Sequence, residues 1–184
     1  MKVLYPQAVH DIYNGVIEGD HVKKYEKTLG QVRGLYKNSE GIPDDSLVYT
    51  VYSYEVGDAK QAGNLYWGLT ILEPIRVNGE CNMTRGHFHL DKGCAEFYFG
   101  IEGEGLLLLM DEHGNEWAER VLKGSLHHID GAWAHRLINT GTVQMKVGAC
   151  WPTVAGHDYE AIEQHDFPTR FFYRDGQGIV EERR

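Results

Sequence analysis

The sequence predicts an all-β fold, a sandwich or small barrel, and three observations carry that reading. From about residue 46 the chain breaks into short runs rich in aromatic and aliphatic residues. Clusters of Gly, Asn, Asp and Pro separate those runs at regular spacing. No internal repeat, low-complexity tract or long linker divides the 184 residues, so one domain is expected, long enough to bury a real core. A cavity between curved sheets is then the natural binding site. Strand order is not legible from this pattern.

Taken along the chain, residues 1–45 form an N-terminal extension. Within it "EGDHVKKYEKTLGQVRGLY" reads as a helix, with Asp20 as N-cap and Gly30 interrupting it. The barrel, about 46–155, contains "SLVYTVYSYEV", "NLYWGLTILEPIRV", "EFYFGIEGEGLLLLM", "EWAERVL", "GSLHHI" and "QMKVGACW" as strand segments. "DEHGNEW" reads as a hairpin turn, with Gly114 or Asn115 supplying the positive φ. In the C-terminal part, 156–184, "HDYEAIEQHDFP" reads as a short helix stopped by Pro168, and "RFFYRDGQGIVEE" as a last strand pair.

Charge narrows the partners. The formal net charge is -9 and the pI about 5.5. Such a surface repels nucleic-acid phosphates, and no Lys/Arg block offsets it. An anionic small molecule would need a locally positive pocket, which a bound cation can supply. Cys81, Cys94 and Cys150 are few, odd in number and lack C-x-x-C spacing, so they read as small, partly buried hydrophobes. The N-terminus has no apolar leader pattern and no run long enough to span a membrane, so a soluble, cytoplasmic protein is expected.

The chemistry concentrates in "TRGHFHLDKGCAEFYFGIEGEG", residues 84–105. On a strand, His87 and His89 point to one face and can approach one ion. Asp91, Lys92 and Gly93 make a turn after which Glu96 can return its carboxylate to the same ion. Two His and one carboxylate leave open coordination positions and suit Fe(II), Mn(II), Zn(II) or Ni(II). His127 and His128 are adjacent, so at most one of them can face inward toward such a site. His113 sits in a turn and reads as solvated.

With "GSLHHIDGAWAHRLINTG" added, the chain resembles the cupin superfamily. Glu96 is followed at the family interval by Gly103, and Gly124 leads to Gly131, His135 and Asn139. Asp130 and Ala132 depart from the family's Pro and Gly, and six residues separate His89 from Glu96. The resemblance implies a double-stranded β-helix, a jelly-roll barrel with short peripheral helices, and a ligand set of His87, His89, Glu96 and His135. Together with the "WPTVAGHDYEAI" tail, Thr-x-Gly-His-x-His at residues 84–89 is similar to the cupin-type glucose-6-phosphate isomerases. That similarity runs from about Val48 to Tyr173. It implies a sugar-phosphate substrate, one divalent ion with Fe(II) first among candidates, and a homodimer.

Aldose–ketose isomerisation moves one proton between C1 and C2 and another between O1 and O2. Glu96 is the expected proton shuttle; if it is only a ligand, a metal-assisted hydride shift becomes the rival. Thr84, Arg85 and Gly86 are donors for the phosphate. By resemblance Thr70 and Tyr98 add phosphate or hydroxyl contacts, Tyr52 and His157 approach the sugar, and His157 suits ring opening. Trp151 is expected to line the cavity wall. An oxygen-activating cupin and a non-catalytic sugar-phosphate binder stand as alternatives, because fold does not choose among them.

Overall fold

The computed structural model describes residues 1–11 and 15–183. In chain order the strands are β1 (Ala8–Asp11), β2 (Val16–Gly19), β3 (Val22–Thr28), β4 (Leu47–Tyr54) and β5 (Leu65–Leu72). They continue with β6 (Arg76–Val77), β7 (Glu80–Met83), β8 (Glu96–Glu102), β9 (Gly105–Met110) and β10 (Glu116–Val121). The last are β11 (Leu126–Ile129), β12 (Ala134–Asn139), β13 (Met145–Pro152), β14 (Thr169–Arg174) and β15 (Gly178–Arg183). Two short helices, α1 (Leu29–Val32) and α2 (Tyr159–Gln164), flank them.

Two antiparallel sheets make the jelly roll. One runs β11-β8-β13-β5-β4-β3 and the other β10-β9-β12-β7-β14-β15, with β6 paired to β7. This is the all-β cupin barrel that the resemblance implies. The sheets are glued by a core in which β9 is sealed on both faces: Leu107, Leu108, Leu109 and Met110 are all buried. That explains why its "LLLL" run lacks alternation. Fully burying each such leucine contributes about 1.5–3 kcal/mol.

The turns obey the glycine pattern. Gly103 has φ +72, and a Cβ there would fall 2.4 Å from the Gln144 carbonyl, so no side chain fits the β8–β9 hairpin. Gly114, at φ +79, turns β9 into β10. Asn139 is a fastening residue: wholly buried, its carboxamide donates to the Leu72 and Val143 carbonyls and accepts from the Gly141 N–H.

The helix expected over 18–36 is corrected. Its central part is β3, which pairs with β4 from Val22↔Tyr54 to Lys27↔Tyr49, and the helical part is confined to α1, Leu29–Val32, and a 3-10 turn over Arg33–Leu35. Val22, Tyr25, Leu29, Val32 and Tyr36 keep a helical spacing, yet on the strand period-two alternation puts Lys23, Tyr25 and Lys27 on one face. Pairing to β4 therefore outweighs the helix-forming tendency of Lys and Glu. The N-terminal extension thus supplies the edge strand of a barrel sheet. Sequence reading also did not isolate β1, β2 or β7, each four residues long.

Candidate metal centre

His87 and His89 lie not in a regular strand but in the connector between β7 and β8. Backbone bonds hold it: the His87 N–H donates to the His135 carbonyl (3.3 Å) and the His135 N–H to the His87 carbonyl (3.1 Å). A second bridge joins Phe88 to Asp158. Gly86, at φ +75, precedes the first histidine, and a Cβ there would sit 3.0 Å from the His135 carbonyl. The Asp91–Gly93 turn forms as expected, with Asp91 Oδ1 accepting from the Gly93 N–H. Glu96 then opens β8, and His135 projects from β12.

These elements bring together the four ligand atoms of His87, His89, Glu96 and His135, all within 4.8 Å of one another. Glu96 Oε1 lies 2.7 Å from His135 Nε2 and 3.5 Å from His89 Nε2. His89 Nδ1 is 2.6 Å from the Cys94 carbonyl, which fixes its proton there and turns the Nε2 lone pair to the centre. His87 Nε2, His135 Nε2 and Glu96 Oε1 are buried and, beyond one another, have no hydrogen-bond partner among the described residues. Orphaned buried polar atoms are costly, and three of them converging on one point fit a cation.

Electrostatics agree. Burial lowers the His87 pKa well below the usual imidazole value, helped by His135, His157 and His89, so it stays a neutral donor. Burial alone would raise the Glu96 carboxyl, but His135 and His89 outweigh it and hold it down to about 2. His89 is raised despite its burial, because Glu96 favours its charged form.

The centre forms one end of a cavity of about 440 Å³ between the sheets, a size suited to a small ligand. Thr70, Thr84, Arg85, Gly86, Tyr98 and His157 all line it. Thr84 Oγ1 accepts from the Leu137 N–H, which leaves its own proton to donate. The Arg85 guanidinium lies 4.5 Å from the Tyr159 ring centroid and is paired with Glu163 of α2. The His157 ring packs against His87 at 4.3 Å, and burial lowers its pKa, so it is neutral at neutral pH. Burial also keeps Tyr98 a phenol, pushing it well above its ordinary value. Trp151 forms wall, as expected; a Cβ on Gly68 would meet its ring at 2.7 Å.

Tyr52 stands apart from this group. Register sets Val51 opposite Thr70 and Ser53 opposite Gly68, so the odd positions of β4 face the cavity and Tyr52 faces away, beneath Lys24. Tyr49 takes the inward place instead, its phenol raised to about 12 by burial. Sequence reasoning also missed Lys27 and Tyr159. The "AGHDYEAI" string held the signal for Tyr159; Lys27 had none once its strand was read as a helix.

His127 and His128 take no part in the centre. His127 Nδ1 lies 2.6 Å from Glu119 Oε2 and its Nε2 lies 2.8 Å from Ser125 Oγ. The connectivity is that of a Ser–His–acid relay, yet Ser125 Oγ also donates to the Leu122 carbonyl, and none of Ser125, His127 and Glu119 lines the cavity at the metal centre. It is a turn brace. His128 is exposed and packs on Phe97.

Comparison with known proteins fits this geometry. Residues 25–183 match the family described as glucose-6-phosphate isomerase. The glucose-6-phosphate isomerase of Thermococcus kodakarensis is 34% identical over 172 residues, covering 91% of this chain and 88% of that one. That of Thermococcus litoralis is 32% identical over 188 residues, covering 99% and 97%. Among solved structures, oxalate oxidase in complex with the substrate analogue glycolate overlaps loosely, with 11% identity and a TM-score of 0.45, covering 78% of this chain and 57% of that one.

Proposed function

Because the chain belongs to the glucose-6-phosphate isomerase family, we propose that it interconverts glucose 6-phosphate and fructose 6-phosphate with a divalent cation at this centre. The observation that carries the reading is the convergence of three orphaned, buried ligand atoms beside a cavity. His87, His89, Glu96 and His135 would hold the cation, with Fe(II) first among the ions that suit such ligands. When bound, it supplies Lewis-acid stabilisation of negative charge on O1 and O2, worth several kcal/mol.

The chain's own groups do the rest. Glu96, with Oε1 toward the imidazoles, offers its other oxygen to carry the proton between C1 and C2, a role of roughly 10²–10⁴-fold. Neutral His157 takes or returns the hydroxyl proton during ring opening. Thr70, Thr84, Tyr98 and the Gly86 N–H orient the substrate by donating to its oxygens, and Arg85 adds charge at the wall. Tyr49 replaces Tyr52 as the β4 tyrosine in reach of the sugar. The setting this implies is a cytoplasmic homodimer in glycolysis and gluconeogenesis.

The test is a coupled assay. Purified protein mixed with fructose 6-phosphate should produce glucose 6-phosphate, lose that activity with chelator, and regain it with Fe(II) or Mn(II). Thermal stabilisation by the sugar phosphate without turnover would instead mark a binding protein. Glu96→Gln should keep the metal and lose rate; a parental rate would remove Glu96 from proton transfer.

A further inference from the structure

We propose that Lys27, on the edge strand β3, binds the dianionic end of the substrate and sets the preference for phosphorylated over unphosphorylated sugar; this rests on the isomerase reading above. Three lysines lie on β3, and two are committed. Lys23 pairs with Glu55 and Lys24 with Glu26. Lys27 has no ion-pair partner among the described residues, is half-buried, and lines the cavity. Its direction follows from register: Lys27 pairs with Tyr49 and Tyr25 with Val51, and Val51 pairs with Thr70, all on the inward face.

The other charges on the wall are spoken for. Arg85 is held by Glu163, Glu55 by Lys23 and Ser53, and Glu96 faces the imidazoles of the centre. Lys27 is therefore the uncompensated cation of the wall, in a chain whose net charge of -9 otherwise repels a phosphate ester.

Position separates the two ends of a bound sugar. Lys27, Tyr49 and Arg85 also line an adjoining hollow that contains none of His87, His89, Glu96 or His135. They stand where the cavity joins that hollow, the end that the ligand set does not line. A ligand with C1 and C2 at the centre extends its phosphate toward that end. There the Lys27 ammonium can donate to it, as a compact point charge suited to a dianion.

The experiment compares parent, Lys27→Met and Lys27→Arg, each as the full chain with metal. A charge-assisted hydrogen bond of this kind corresponds to about 10- to 100-fold in affinity. Lys27→Met should raise KM for fructose 6-phosphate by that factor with little change in kcat, and Lys27→Arg should restore most of it. The rise in KM with added salt should be shallower in Lys27→Met. Inorganic phosphate should stabilise the parent against heat more than it stabilises Lys27→Met. A parental KM and an unchanged phosphate response in Lys27→Met overturn the inference, as does a loss confined to kcat. If the parent itself shows no turnover, the isomerase reading fails, and the phosphate-induced melting shift decides on Lys27 alone.

Discussion

Two histidine clusters in this chain are built from similar parts and differ in what is left over. Around His127 each ring nitrogen has a partner, Glu119 on one side and Ser125 on the other. Around His87 and His135 the Nε2 atoms converge on Glu96 Oε1 and find no partner outside that group among the described residues. Both groups are buried, and burial alone does not tell them apart. What does is the remainder: a satisfied cluster braces a turn, whereas a cluster with convergent unused lone pairs calls for a ligand.

The sharpest way to break that contrast is to remove one histidine from each. His135→Ala should lose metal by elemental analysis and lower kcat/KM by roughly 10³-fold or more. His127→Ala should keep metal and leave turnover nearly unchanged. Equal losses in both would erase the distinction. Chelation comes next in size: metal bound at 100 to 1,000 times its Kd stabilises the fold by about 3–4 kcal/mol, so the parent's melting temperature should fall with chelator. His135→Ala should melt at one temperature with or without it. A smaller effect is expected for the brace, where truncating His127 should cost about 1–3 kcal/mol in denaturant unfolding by leaving Ser125 and Glu119 underused.

The smallest effect belongs to an intermediate case. His10 accepts from the Trp67 indole N–H at Nδ1 (3.0 Å), while its Nε2 is buried without a partner. Burial lowers its pKa below 6.5, only partly opposed by Asp11. The unfolded chain therefore binds more protons in the window between the two values. Its contribution to stability is complete above pH 6.5 and is lost as pH falls through the folded value. Melting curves at pH 7 and pH 5 should show a smaller acid-induced drop in His10→Gln than in the parent.

The candidate metal set was legible in two steps: His87, His89 and Glu96 stand within ten residues and share a narrow chemistry, and His135 joined them through the resemblance to the cupin motif with its own glycines. Parity was not legible. Tyr49 and Tyr52 are three apart on one strand, so one must face in and the other out, and only the register with Thr70 decides which. The same limit hid Lys27. Lys and Glu favour helices when nothing else is known, and what made "VKKYEKT" a strand is a partner 19 to 32 residues away. Long-range pairing, not composition, assigned those side chains to the wall. The hairpin at Gly114 and the last strand pair needed no such partner and were read correctly.

The paired peptide bonds between His87 and His135 bear on how the site behaves when stripped. Because each residue's amide clasps the other's carbonyl, the spacing of those two rings is inherited from the main chain rather than imposed by whatever ion sits there. An emptied protein should therefore keep its grip open to the same width and accept a replacement without refolding. A preparation that takes one divalent ion at this centre should then accept several others and allow them to be compared in the same scaffold.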